Sequence, residues 1–172
     1  NNLAAPANTK VFSLTHRLHL TQPQAYIFDP ELPYWIIYRN QLFDSVCRKL
    51  DFDVFEVFRD RQLTNKLLSS SGELRVLKSR NLSDDGKEIL DIPGYDSYIS
   101  YAAAKPLSVF QYLDAPNVYL TPNMTYKPRM MKKPPHCVVN GSLAILIPKG
   151  GIVPTEKQLA YFSSEEYRAF YQ

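Results

Sequence analysis

The 172-residue sequence predicts an α+β domain: a curved sheet, mixed or antiparallel, with an amphipathic helix near the N-terminus and short helices at the C-terminus. The prediction depends on one long amphipathic pattern, on six or seven short strand-like segments, and on capping signals near the end of the chain. Prolines outnumber glycines by 13 to 6. This ratio favours rigid turns and extended connections over a helical bundle.

The first third of the sequence supplies a strand and the amphipathic helix. Residues 11–20 have strand character, and residues 21–24 are typical of a turn. Large apolar side chains then recur three or four residues apart, which predicts a helix over about 33–50 with one apolar face. These side chains are Trp35, Tyr38, Leu42, Val46 and Leu50. We therefore predict a lead-in strand and linker over residues 1–32, and the main domain over residues 33–172.

Short strands separated by turn residues follow, with helices at the end of the chain. Alternating apolar residues or short apolar runs predict strands at residues 51–58, 74–78, 89–92, 118–120 and 138–147. An alanine run allows a short helix at residues 102–104. Two capping-box patterns, Thr155 with Gln158 and Ser163 with Glu166, predict the starts of the C-terminal helices.

Basic residues concentrate in two stretches, although the formal net charge is only +3. Residues 115–155 contain no acidic side chain and five basic ones, and a second basic cluster, diluted by acidic residues, lies within residues 59–87. Two such stretches can form one positively charged face, as binding to a polyanion requires. An ordinary solvated surface of lysine and arginine is the alternative.

The sequence offers little for catalysis or metal binding. Cys47 and Cys137 lie far apart, which favours neither a disulfide framework nor a zinc site and indicates a reducing, cytoplasmic setting. His16 and His19 lack further ligands at metal-binding spacing, so we interpret both as surface residues. The sequence contains no hydrolase, metalloprotease or phosphate-loop motif, and no apolar run of the roughly 18 residues that a membrane span needs. We therefore expect no catalysis by this chain, no metal and no membrane partner.

Three polar segments carry more information about function. Residues 58–66, 75–82 and 121–129 concentrate Arg, Lys, Asn, Gln, Ser and Thr near predicted strand ends. Arg and Lys hydrogen-bond to guanine, Asn and Gln hydrogen-bond to adenine, and Lys, Ser and Thr hold phosphates. Prolines in the third segment would keep its loop preorganised for binding. The three segments together predict contact with nucleic acid.

The same segments resemble the C-terminal region of type II, type IIS-like, restriction–modification adenine-specific DNA methyltransferases. More distantly, they are similar to the target recognition domains of type I specificity subunits. The matching strings are residues 58–64, 75–82, 120–129, 139–148 and 161–171, and the resemblance covers roughly residues 34–172.

The family's catalytic motifs are missing from this sequence. Its Asn/Asp-Pro-Pro-Tyr/Phe loop is matched only in part by residues 133–136 and 91–95, and no glycine-rich S-adenosylmethionine loop occurs. The resemblance therefore implies a recognition domain excised from a larger chain. In that chain a separate catalytic domain would bind S-adenosylmethionine, and this chain itself would hold no cofactor.

The resemblance implies sequence-specific binding to double-stranded DNA in the bacterial cytoplasm. The chain would position an adenine for flipping into the catalytic methyltransferase domain of the same parent chain. The residues expected to read bases are Arg59, Arg61, Gln62, Arg80, Asn81, Asn123 and Tyr126. Those expected to hold phosphates are Lys66, Lys78, Lys127, Arg129, Lys132 and Lys133. The alternatives are a protein-interaction module of a larger multidomain bacterial protein and a small Mg²⁺-dependent nuclease.

Overall fold

The computed structural model describes residues 7–15, 17–32, 35–37 and 39–172. Among these described residues it confirms the α+β class, with 26% of them in helices and 25% in strands, arranged as five helices and three sheets. The chain divides into two compact units, Asn1–Phe52 and Asp53–Gln172. The main domain is predicted from the sequence to start at residue 33, whereas the second compact unit starts at residue 53.

An antiparallel hairpin of β1 (Asn8–Ser13) and β2 (Leu18–Pro23) begins the first unit, and α1 (Gln24–Ile27) follows it. The predicted strand at residues 11–20 is therefore two strands, and the turn predicted at residues 21–24 is wrong. Its first three residues pair with residues 8–10, which gives their backbone groups hydrogen-bonding partners. His16 lies outside the described residues, whereas His19 is exposed and stacks on the Phe12 ring.

The predicted amphipathic helix is shorter than its apolar pattern. Helix α2 spans Gln41–Cys47, and residues 33, 34 and 38 of the prediction lie outside the described residues. Asn40 is the N-cap of α2, because its side-chain oxygen accepts a hydrogen bond of 2.8 Å from the Phe43 backbone N–H. The preceding Arg39 turns inward and pairs with Asp29 and Asp44.

Two sheets form the second unit. The first is antiparallel, in the order β3 (Phe55–Phe58), β9 (Leu143–Pro148), β6 (Tyr119–Pro122), β7 (Met131–Lys132). The second is mixed, because β4 (Leu74–Leu77) runs antiparallel to β5 (Ser97–Ile99) and parallel to β8 (Cys137–Val139).

Three of the predicted strands differ in the structure. The strand predicted at residues 51–58 is shorter, because β3 begins only at Phe55. The run at residues 138–147 is divided into β8 and β9, because the Asn140 side chain accepts hydrogen bonds from the Ser142 backbone and hydroxyl and forms a turn. Residues 89–92 do not form a strand: Ile89 makes a single bridge to Leu82, and the Ile92 N–H donates to the Asp96 carboxylate. Local apolar character was therefore not sufficient to define a strand.

The hydrophobic core lies between these strands. The fully buried apolar side chains include Val76, Leu77, Ile99, Leu120, Val138, Val139, Leu143 and Ile145. They come from both sheets of the second unit, so burying them holds β4, β6, β8 and β9 together.

Short helices complete the second unit. They are α3 (Tyr101–Ala104), α4 (Glu156–Tyr161) and α5 (Glu165–Tyr171), with 3₁₀ turns at Asn65–Leu67, Ser79–Asn81, Ser108–Tyr112 and Lys149–Gly151. The capping box of Thr155 and Gln158 is confirmed. The second differs, because Ser164 rather than Ser163 caps α5. Across the described ranges, no helix combines the length and the apolar character needed to cross a bilayer.

Candidate nucleic-acid interface

Strand directions bring the polar segments to one end of the sheets. Strands β3 and β6 both run antiparallel to β9, so their last residues lie beside its beginning. Phe58 is opposite Ile145, and Pro122 is opposite Leu143. Strands β4 and β8 are parallel and end together, with Leu77 opposite Val139. The segments that follow β3, β4 and β6 therefore leave the sheets near the turn that joins β8 to β9.

This turn, residues 140–142, contacts all three segments. The Ser142 hydroxyl accepts a hydrogen bond of 2.9 Å from the Ser79 N–H, and its carbonyl accepts one of 3.0 Å from the Asn123 N–H. A Cβ on Gly141 would lie 2.5 Å from the Asp60 carbonyl oxygen, so this close approach requires glycine. We name residues 140–142 the junction turn.

The junction turn and the segments around it define the convergent edge, which comprises residues 59–66, 78–81, 123–129 and 140–142. The predicted segments thus share one end of the second unit. A surface that contacts a single duplex requires this arrangement.

The first segment presents its cations to solvent. Arg59, Arg61 and Lys66 are exposed, whereas the intervening Asp60 is buried. The Asp60 carboxylate accepts a hydrogen bond of 2.8 Å from the Leu63 N–H, which closes the turn after β3. The outward surface of this segment is therefore strongly basic, although its sequence contains an acid.

Gln62 lies on the same exposed turn and also has an internal contact. Its side-chain oxygen accepts a hydrogen bond of 2.7 Å from the Ser108 N–H. This contact fixes the position of the amide, whose NH₂ group is the donor that remains for a ligand.

The second segment divides between the surface and the interior. Arg80 is exposed, with its guanidinium carbon 4.7 Å from the centre of the Tyr95 ring. Lys78 instead donates to the Tyr95 carbonyl and to the Ser97 hydroxyl, and its ammonium lies 3.8 Å from the centre of the same ring. Burial lowers the pKa of Lys78. We therefore assign Lys78 a structural role and leave it out of the phosphate-binding set.

Asn81 is also internal, in contrast to the predicted base-reading role. The residue is fully buried, and its side-chain oxygen accepts a hydrogen bond of 3.0 Å from the Lys78 N–H. Its NH₂ group donates to the Asp96 carboxylate at 2.7 Å and to the Leu90 carbonyl at 3.1 Å. Because the amide already has three protein partners, Asn81 stabilises the 3₁₀ turn and cannot reach a base edge without unfolding it.

The third segment forms a loop with an exposed tip. Tyr126 is 86% exposed, and Asn123 is half-buried at the base, where its NH₂ group lies 3.4 Å from the Gly141 carbonyl oxygen. Lys127 pairs with Asp84, and this hydrogen bond lowers the pKa of the Asp84 carboxyl. The Lys127 side chain is more than half exposed in spite of this pairing, so it stays accessible to an anion.

Arg129 lies inside the convergent edge rather than on it. The residue is only 7% exposed, and its guanidinium donates to the Ser79 carbonyl at 2.9 Å and to the Lys127 carbonyl at 2.8 Å. Burial lowers the pKa of Arg129. Arg129 therefore joins the second and third segments, and the predicted phosphate contact is replaced by this structural role.

The last two predicted lysines lie away from the convergent edge. Lys132 is exposed but sits opposite Tyr119, at the other end of β6 from Pro122, roughly 10 Å away at about 3.3 Å per strand residue. Lys133 is only 5% exposed and donates to the Leu113 and Pro134 carbonyls, and burial lowers its pKa. We leave both lysines out of the interface.

Sequence reasoning missed the junction turn, Met124 and Tyr95. The Asn140-Gly141 pair was a readable turn signal inside the predicted strand. Met124 is 90% exposed at the tip of the third segment, and Tyr95 lies under the Lys78 and Arg80 cations. No sequence pattern indicates either role, because both depend on the tertiary structure.

Comparison with protein families, with curated proteins and with solved structures finds no match for this chain. In the part of the chain that the structure describes, no three His, Cys, Asp or Glu side chains are grouped so that they could hold a metal ion. The geometry and the chemistry of the convergent edge are therefore the features that indicate a function.

Proposed function

We propose that this chain binds double-stranded DNA sequence-specifically, as the target recognition domain of a restriction–modification adenine-specific DNA methyltransferase. The observation that carries the proposal is the convergence of three polar segments around the junction turn. Three segments at one end of a unit form a surface that can follow a groove and its flanking phosphates.

The exposed cations at this edge suit a polyanion. Arg59, Arg61, Lys66 and Arg80 are all exposed, while the acidic Asp60 is turned inward. Lys66 and Lys127 remain the candidates for phosphate contact. The candidates for base contact are Arg59, Arg61, Gln62, Arg80, Asn123 and Tyr126, whose side chains offer donors, acceptors and a stacking ring.

Internal contacts support the exposed side chains. Arg129 ties the third segment to the second, and the Tyr95 ring lies against Arg80. Side chains held before binding lose less entropy when they contact a ligand, and this favours discrimination between base pairs.

Recognition and catalysis belong to different domains of the parent chain in this proposal. In this proposal the edge holds the duplex and selects the sequence, while a separate catalytic domain binds S-adenosylmethionine and receives the flipped adenine. The parent protein acts in the bacterial cytoplasm. This chain requires no cofactor for its own part.

The test starts with selection of a preferred sequence from a pool of random duplexes. Arg80→Ala is then expected to weaken binding to the selected duplex by about 1–3 kcal/mol and to relax specificity at one base pair. Lys66→Ala should weaken all duplexes alike and lower the salt slope by about 1. Lys132→Ala is the matched control, an exposed lysine away from the edge, and should leave the affinity unchanged. Equal losses for the selected and random duplexes in Arg80→Ala would contradict its role in base reading.

One observation favours the alternative of a protein-interaction module. Val57 is 63% exposed on β3, which is the outermost strand of its sheet. An exposed apolar outermost strand can pair with a strand of another chain. Indifference to duplex DNA at every salt concentration would favour this alternative over the proposal.

A further inference from the structure

The loop between β6 and β7 exposes two large side chains at its tip. Met124 is 90% exposed and Tyr126 is 86% exposed, and they are two residues apart. A single exposed apolar residue is common on protein surfaces. Here two large exposed side chains lie on one short loop, and the rest of the edge is rich in cations. This combination needs a further explanation.

Hydrogen bonds hold this loop in shape. The Thr125 hydroxyl accepts a hydrogen bond of 3.0 Å from the Lys127 N–H, and the buried Arg129 guanidinium donates to the Lys127 carbonyl at 2.8 Å. Pro122 and Pro128 restrict the backbone on both sides of the tip. The two exposed side chains therefore project from a preorganised loop rather than from a loose one.

The same contacts fix where the tip lies. The Asn123 N–H donates to the junction turn, and Arg129 donates to the Ser79 carbonyl, next to the exposed Arg80. The apolar tip is thus attached beside Arg80, a candidate for base contact, and it lies on the same loop as Lys127, a candidate for phosphate contact. An apolar side chain gains little from a phosphate, but it gains from contact with the faces of bases.

We propose that Met124 and Tyr126 form a wedge that enters the base stack of the bound duplex. The inference rests on the proposed function and specifies the kind of DNA that the edge prefers, a duplex with a step that opens easily. Tyr126 supplies a flat ring for stacking, and Met124 supplies a flexible, polarisable side chain that fits an irregular gap. A mismatch or a missing base lowers the energy needed to unstack a step, so such duplexes should bind more tightly.

The experiment compares matched duplexes of about 30 base pairs that are fully paired, carry one mismatch, or carry one abasic site. The wild-type chain is expected to bind the abasic duplex on the order of tenfold more tightly than the paired one. The double variant M124S/Y126S should lose this preference and keep the salt slope of the wild type. Val153→Ser, which changes an exposed apolar residue beyond the far end of β9, is the matched control and should keep the preference.

A second readout uses 2-aminopurine placed at successive positions of the selected duplex. Binding of the wild-type chain should raise the fluorescence at one step several-fold, because the base there is unstacked, and M124S/Y126S should abolish the rise. If the wild type binds DNA but shows neither the preference nor the rise, the wedge is overturned and the proposed function stands. If the wild type binds no duplex, both are overturned. Circular dichroism of the variants checks that they are folded.

Discussion

Residues 59–66 and 127–133 carry three and four basic side chains, and the fold uses the two groups differently. The basic residues of the first stretch are all exposed, and the whole stretch belongs to the convergent edge. In the second stretch Arg129 and Lys133 are buried, while Lys132 lies at the far end of β6. The charge of the second stretch therefore contributes much less to the surface than its sequence indicates.

The two stretches differ in the exposure of their basic side chains because they differ in the hydrogen-bond acceptors within reach. Arg129 and Lys133 reach backbone carbonyls of Ser79 and Leu113, and a buried cation needs such oxygens to replace water. The first stretch follows strand β3 into a turn whose acidic residue points inward, so its cations point outward. A count of charges along the sequence cannot distinguish the two cases.

The largest expected effect tests the buried cation directly. Arg129→Ala should destabilise the fold by about 2–4 kcal/mol, because it leaves the Ser79 and Lys127 carbonyls without their donor. Arg59→Ala, the exposed counterpart, should change the stability by no more than about 0.5 kcal/mol. Urea unfolding of the two variants measures both values. Equal losses would contradict the contrast between the two stretches.

A change in the junction turn should have the next largest effect. Gly141→Ala places a Cβ 2.5 Å from the Asp60 carbonyl oxygen, so either backbone must move. We expect a loss of about 1–3 kcal/mol in the free energy of unfolding, as for other overpacked sites. Thermal unfolding measures the loss, and wild-type stability in the variant would show that Asp60 does not approach the turn so closely.

The environment of Asp96 predicts that the free energy of unfolding falls at acidic pH. Burial alone would raise the pKa of Asp96, but hydrogen bonds from the Ile92 N–H and Asn81 and the charge of Arg75 lower it overall. A carboxyl with a lower pKa in the folded state stabilises the fold above its unfolded pKa of about 3.9, and this stabilisation is lost as the pH falls through the folded value.

Asp96→Asn should therefore lower the stability by about 1–2 kcal/mol at pH 7 and make its decline below about pH 4 shallower. Denaturant unfolding between pH 2 and 7 is the measurement. An unchanged slope in the acid range would show that the Asp96 carboxylate does not stabilise the segment that contains Lys78 and Asn81.

The smallest effect concerns the exposed ion pair. Lys127→Ala removes the partner of Asp84, and because both side chains are largely exposed we expect a loss of no more than about 1 kcal/mol. The loss should diminish in high salt, which urea unfolding at two ionic strengths can measure. A large, salt-independent loss would place Lys127 with Arg129 as a structural cation.

Parts of the fold were predictable because their signals are local. Strand β4, the short helix α3 and the Thr155 capping box involve residues within a few positions of one another. The length of helix α2 was overestimated. An apolar repeat indicates which face of a helix would be apolar, but it does not reveal that Asn40 caps the helix and so delays its start to residue 41. The turn at residues 140–142 was hidden by the apolar run around it.

The sequence predicted which segments form the candidate site, but not which of their residues are exposed. The polar residues after β3, β4 and β6 were correctly recognised as neighbours of strand ends. The direction of each side chain was not predicted. Arg80 and Asn81 are adjacent in sequence, yet one is exposed and the other is fully buried.

The sequence by itself determined the α+β class, most of the strands and the composition of the polar segments, because these depend on periodicity and on short-range hydrogen bonds. The tertiary structure decided which cations reach solvent and which segments meet. Arg129 and Ser79 are 50 residues apart, and Ser79 and Ser142 are 63 apart. Contacts over such separations form only when the strands pair, so no local pattern in the sequence encodes them.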